Sequence, residues 1–249
     1  MLFYSYVPTG PFMRLSKRLI LLTSLALFLT GAPPAFAVVI GQVDDFEDGT
    51  TQGWIVGLLG AAHPAPPMNV PTGGPAGVDD NYLLLTAVGG GAAGSRLTVL
   101  NPSAWAGDYT ADGILVIAMD LKNFGGSDLN IRLWLEDPTN GPPVDIAFSG
   151  AVSLPSGGDW THVEFAIDPM SLTAFQGDVN TLLSNVTTLR IYHSPDPTIP
   201  GPSVVASLGV DNITAGGAAA VPEPSSWMLL GSGLAGLRAL RRKRTPGQR

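Results

Sequence analysis

The run DLNIRLWLED, residues 128–137, decides the fold. Leu129, Ile131, Leu133 and Leu135 alternate with Asn130, Arg132, Trp134 and Glu136. A repeat of two is the repeat of a β-strand, whose successive side chains point to opposite faces. Such a strand turns one apolar face to a core and the other to something polar. THVEFAID (residues 161–168) repeats the pattern, with Val163, Phe165 and Ile167 opposite His162, Glu164 and Asp168. So does TTLRIYH (187–193), where Leu189 and Ile191 oppose Arg190 and Tyr192. ILVIAMDL (114–121) is apolar on both faces and reads as a central strand.

Further strand-like runs at 83–87, 97–100, 144–148 and 208–213 are separated by clusters of Gly, Pro, Asn and Asp, the residues of tight turns. No long amphipathic helix is present; residues 170–183 hold one or two helical turns at most. The chain has 31 Gly and 22 Pro and only 13% charged residues, which suits many short connections rather than surface helices. The expectation is an all-β domain of two sheets sharing one core, a β-sandwich, over residues 38–215.

Charge is distributed unevenly. Residues 38–220 hold four basic side chains (Arg96, Lys122, Arg132, Arg190) and nineteen of the chain's 20 acidic ones, a net charge of −15. A body of this sign repels nucleic acid and anionic headgroups, so nucleic acid is excluded as a partner. There is no cysteine, which removes disulfides, thiolate nucleophiles and Cys-based zinc sites together.

The remaining basic residues sit at the two ends. MRLSKRLILLTSLALFLTGAPPAFA (13–37) has a positive start at Arg14, Lys17 and Arg18, then an apolar stretch, then the small-x-small pattern Ala35-Phe36-Ala37. These parts in this order describe a secretory signal peptide cleaved by signal peptidase, with residues 1–37 removed. Residues 1–12 carry no charge and precede a second methionine, so Met13 is the expected true start.

At the other end, GGAAA (216–220) reads as a linker. VPEPS (Val221, Pro222, Glu223, Pro224, Ser225) leads into an uncharged stretch from Ser225 to Leu237. Arg238, Arg241, Arg242, Lys243 and Arg244 follow, with a short tail at 245–249. Thirteen helical residues span roughly 20 Å, short of the roughly 30 Å hydrocarbon core. Gly231, Gly233 and Gly236 nonetheless suit a membrane helix, and the basic cluster suits its cytoplasmic flank. The expectation is a short transmembrane helix holding the acidic body outside. This arrangement resembles the PEP-CTERM sorting signal of Gram-negative bacteria. The resemblance implies an inner-membrane-anchored precursor, recognition by an exosortase, cleavage near Pro222-Glu223-Pro224, and delivery to the cell surface or the extracellular matrix of a biofilm.

Within the body, DDFEDGTTQGW (44–54), GDWTHVEFAI (158–167) and LGVDNITA (208–215) resemble galactose-binding-like jelly rolls, the fold of many carbohydrate-binding modules. That resemblance implies a structural Ca2+, with Asp45, Glu47 and Asp211 in the matching places; carboxylates are the hard oxygen ligands calcium takes. The plainer reading of the same residues is a solvated acidic turn with Asp211 capping a hairpin.

Alternation supplies a second candidate. If the strands carrying Trp134, Glu164 and Arg190 are neighbours, then Arg132, Trp134, His162, Glu164, Arg190 and Tyr192 gather on one face. There a ring stacks on a sugar while Arg and Glu bond its hydroxyls. The plainer reading is that alternating strands always turn polar residues outward.

No catalytic residue is assigned. His63, His162 and His193 show no HExxH spacing, no GxSxG elbow is present, and Gly89-Gly90-Gly91 lacks the Lys and Ser or Thr of a phosphate loop. Three functions remain: a non-catalytic surface protein binding extracellular polysaccharide, a carbohydrate-active hydrolase, and a structural matrix protein without a specific ligand.

Overall fold

The computed structural model describes residues 37–57, 63–137 and 143–217. Both expected targeting segments therefore lie outside the described residues, apart from Ala37 at the end of the first.

Among the described residues, twelve strands form two antiparallel sheets. The first has the order β2 (Met68–Val70), β3 (Tyr82–Val88), β12 (Val205–Gly216), β5 (Val116–Asn123), β9 (Thr161–Ala166), with β1 (Val43–Asp44) also on β12. The second has the order β10 (Thr173–Gln176), β7 (Asp145–Phe148), β6 (Leu129–Asp137), β11 (Thr188–His193), β4 (Thr98–Asn101), with β8 (Val152–Leu154) on β6. One short helix, α1 (Val179–Leu183), is capped by the Asp178 carboxylate, which accepts the Thr181 N–H. All eight strand-like runs of the sequence form strands; the unforeseen ones are short.

The alternation works as expected on the inner faces. Leu129, Ile131, Leu133 and Leu135 of β6 meet Ile117, Met119 and Leu121 of β5, Val163 and Phe165 of β9, and Leu208 and Val210 of β12 in one core. Trp54, Trp105, Phe46 and Tyr109 close one end of it, and all four are fully buried. The two indole N–H groups there donate to a single buried oxygen, Asp44 Oδ2, at 2.7 Å each. Burial pushes the Asp44 carboxyl above its ordinary range, and the two indole bonds pull it back.

β12 organises the first sheet. On one side its first half pairs with β3, through Val205↔Val88 and Val210↔Leu83. Its second half pairs with β1, through Val43↔Thr214 and Asp44↔Ile213. Between them the register against β5 shifts after Asp211, and Asn212 takes a left-handed backbone (φ 51°). This is a β-bulge, and it places Asp211 where the partner changes. The strand ends at Gly216, paired with Val116, one residue inside the expected linker.

Gly209 lies in the middle of β12, where a glycine weakens a strand. A Cβ there would stand 2.7 Å from Trp160 and 2.8 Å from Phe124. The missing side chain lets Trp160, Phe124 and Tyr82 lie on the outer face of the first sheet, with ring centroids 5.3–6.1 Å apart.

Candidate glycan face and acidic site

The outer face of the second sheet carries the expected aromatic and basic residues. β6 and β11 are direct neighbours, with Trp134↔Arg190, Arg132↔Tyr192 and Glu136↔Thr188 in register. β7 continues the face, with Trp134↔Phe148 and Glu136↔Ile146. Trp134, Phe148 and Tyr192 pack as tilted and edge-to-face rings 5.6–5.9 Å apart, and Phe175 extends the row at 5.6 Å from Phe148. Phe148, Ile146 and Phe175 were not foreseen. Their signal was present, since Ile146 and Phe148 alternate with Ala147, but both faces of β7 are apolar and alternation alone does not say which is the core.

The basic residues of the face are already engaged. Arg190 donates to Glu136 Oε1 from Nε (3.1 Å) and Nη2 (2.5 Å), and its guanidinium lies 4.5 Å from the Trp134 ring centre. Arg132 donates from Nε, Nη1 and Nη2 to the carbonyls of Ser194, Ser149 and Pro195 at 3.0, 2.8 and 2.7 Å. Arg132 thereby fastens the start of the segment 194–203, whose Ile199 packs on the Ile146–Phe148–Tyr192 cluster. Tyr192 is thus 2% exposed rather than outward in solvent. Burial raises its phenol above the ordinary range.

Glu164 and His162 do not belong to this face. β9 pairs with β5 in the first sheet, so both point outward from the opposite side of the sandwich. Alternation fixes which side of a strand a residue occupies; it does not fix which sheet the strand joins. His162 meets Asp120 there, at Nδ1–Oδ1 2.9 Å.

One property of the second-sheet face is unusual. Four of its buried polar atoms have no hydrogen-bond partner among the described residues: Thr98 Oγ1, Trp134 Nε1, Glu136 Oε2 and Tyr192 Oη. Thr98 stands opposite Tyr192 in the ladder, so the four run as a band across β4, β11 and β6. A buried unpaired polar group costs about 1–3 kcal/mol, and native folds tolerate few. All four are shielded from solvent, so what a ligand could reach on this face as it stands is the half-buried Trp134 ring and the exposed Phe175 ring.

The acidic residues separate in an unexpected way. Asp211 is buried (1% exposed) in the first sheet, and its carboxyl is pushed up to about 7. Burial is the main cause; the negative charges of Asp80, Asp120 and Glu47 add to it, while the Asn212 N–H opposes it. Asp211 is therefore not a solvated hairpin cap. Glu47 is exposed, and its Oε1 accepts the Asn81 N–H at 2.8 Å. Asp45 turns away and accepts from Gln52 Nε2 and the Glu47 N–H. The solvated acidic turn is made instead by Asp48, which accepts the N–H and hydroxyl of Thr50 at 2.8 Å each. The oxygen donors around Asp211 suit a hard cation in chemistry. Among the described residues, no three His, Asp or Glu side chains converge closely enough to hold one as they stand.

The described residues form a two-sheet antiparallel β-sandwich, and the solved structures it is similar to include carbohydrate-binding modules. A family 11 carbohydrate-binding module from Clostridium thermocellum, solved with a β-1,3-1,4-mixed-linked tetrasaccharide, is 18% identical over 73% of this chain and 98% of its own, with TM-score 0.48. The CBM22-1 xylan-binding domain from Paenibacillus barcinonensis is 16% identical over 73% and 99%, with TM-score 0.41. An exo-β-agarase is 13% identical over 74% of this chain and 26% of its own, with TM-score 0.51. At these identities the likeness is one of fold. Residues 220–244 match the PEP-CTERM protein-sorting motif, which contains the VPEPS start and the Arg-rich end. No curated protein matches the sequence.

Proposed function

We propose that the chain is a non-catalytic polysaccharide-binding protein, exported by its signal peptide, held by a short C-terminal membrane helix, and released to the cell surface or extracellular matrix by an exosortase. The observation that carries the binding half is the row of rings on the outer face of the second sheet, in which the half-buried Trp134 and the exposed Phe175 both pack on Phe148. The sorting motif supports the export half. Glu136, a carboxylate on the ring face, is tied to Arg190, a posture for structure rather than for proton transfer.

Binding of the purified chain to an array of neutral glycans, including mixed-linked β-glucan and xylan, tests the reading. Phe175→Ala removes the exposed ring at the end of the row, outside the buried core, so it leaves folding largely unharmed. It is expected to weaken glycan binding severalfold, and Trp134→Ala to abolish it. Glycan binding unchanged in both variants removes the face from consideration. No binding to any glycan favours a structural matrix protein, and release of sugar from the array favours a hydrolase.

We propose in addition that Asp211 and Glu47, with Asp80 beside them, take up Ca2+. The support is a buried carboxylate surrounded by acids, which an added cation would neutralise.

A further inference from the structure

The two ends of the sandwich domain leave from the same pole. Gly41 N–H donates to Ala215 O at 2.8 Å, and Leu115 N–H to Gly216 O at 2.8 Å. Ile40 reaches across to both sides of this exit: a Cβ on Gly217 would stand 2.8 Å from its Cδ1, and one on Gly113 3.6 Å. Around this exit four apolar side chains face solvent, Val39 (54%), Ile40 (56%), Val43 (47%) and Leu115 (42%). The patch itself holds no charge, and Asp108, Asp112 and Asp168 stand in the loops next to it.

Chain length says what lies opposite the patch. The sorting motif begins at residue 220, three residues after Gly217. The uncharged stretch begins at Ser225, and eight residues span at most about 28 Å when fully extended. The far end of β12, at Val205, is roughly 36 Å away along the strand. In the tethered precursor the C-terminal anchor therefore starts from this pole, and not from the other.

We propose that the Val39–Ile40–Val43–Leu115 patch is a lipid-facing surface that rests on the outer leaflet while the precursor is tethered. This inference rests on the tethered-precursor reading above. The preferred surface is zwitterionic, because Asp108, Asp112 and Asp168 would be repelled by anionic headgroups. Seated in this way, the domain meets the bilayer by the pole from which Gly217 leaves.

The chain has no cysteine, so single cysteines report position without background. Ile40→Cys, Leu115→Cys and, as the far-end control, Val205→Cys are labelled with a polarity-sensitive fluorophore in the full chain. Each is reconstituted in phosphatidylcholine–phosphatidylethanolamine vesicles containing lipids with a nitroxide in the headgroup. Quenching at 40 and 115 is expected to exceed that at 205 severalfold. Equal quenching at all three, with the chain still in the vesicles after an alkaline wash, overturns the docking and leaves the tether standing. A chain that the alkaline wash removes overturns the tether, and the docking with it.

Discussion

Asp211 provides the sharpest test of the electrostatics. Unfolded, its carboxyl ionises near 3.8; folded, it keeps its proton to about 7. Between these values the folded state binds more protons than the unfolded state, so stability from this group is full below about pH 4 and is lost as pH rises to about 7. The gap between 3.8 and about 7 corresponds to about 4 kcal/mol. For a domain of this size that is a fall in Tm of roughly 10 °C. Asp211→Asn keeps the shape of the protonated acid and cannot ionise. In chelator, the wild-type chain should lose stability across this window. The variant should lack that component, equal the wild type near pH 4 and exceed it near pH 8.

Calcium reverses the order. An ion binds the ionised carboxylate, so adding Ca2+ at pH 8 should restore the wild-type Tm and move the titration to lower pH. The Asn variant should not respond. Thermal melts by circular dichroism at several pH values, with calcium and with chelator, measure all of this. If the wild type and Asp211→Asn show the same pH dependence in chelator, Asp211 is ionised in the fold at no cost, and the account of its burial is wrong. If the wild type shows the fall and calcium does nothing, the burial stands and the proposed ion does not.

Other parts of the fold carry their own tests. Asp44→Leu leaves two buried indole N–H groups unpaired and should cost about 2–6 kcal/mol by denaturant melt, whereas Asp44→Asn, which still offers an acceptor, should cost far less. Gly209→Ala drives a methyl into Trp160 and Phe124 and should cost about 1–3 kcal/mol while shifting tryptophan emission to the red. Val38 is fully buried, and its N–H donates to Ala106 O, so the Ala37–Val38 bond should resist signal peptidase in the refolded precursor and be cut in the unfolded one.

The strands were legible because their inner faces obey one physical rule. Leucine at 129, 133 and 135, with Ile131 between, demands a dry side, and the sandwich supplies it. The face of β6 that carries Trp134 and Arg132 obeys no single rule. Whether it meets water, a loop or a ligand depends on residues far away in sequence. Ile199 arrives on Tyr192 through the segment that Arg132 fastens, and nothing in TTLRIYH announces it. The same limit explains Glu164: its side of β9 was readable, while its sheet depends on β9 pairing with β5 across forty residues. Asp211 shows the converse. Read as sequence, VDNI is an ordinary polar step in a strand. The bulge after Asp211 and the change of partner from β3 to β1 are what carry its carboxyl into the interior among other acids. Local pattern thus fixes which atoms point together along one strand, and the pairing of strands distant in sequence fixes what they point at. Both candidate sites here lie on the second kind of information: the ring face on the β6–β11 pairing, the acidic site on the junction of β1, β3 and β12.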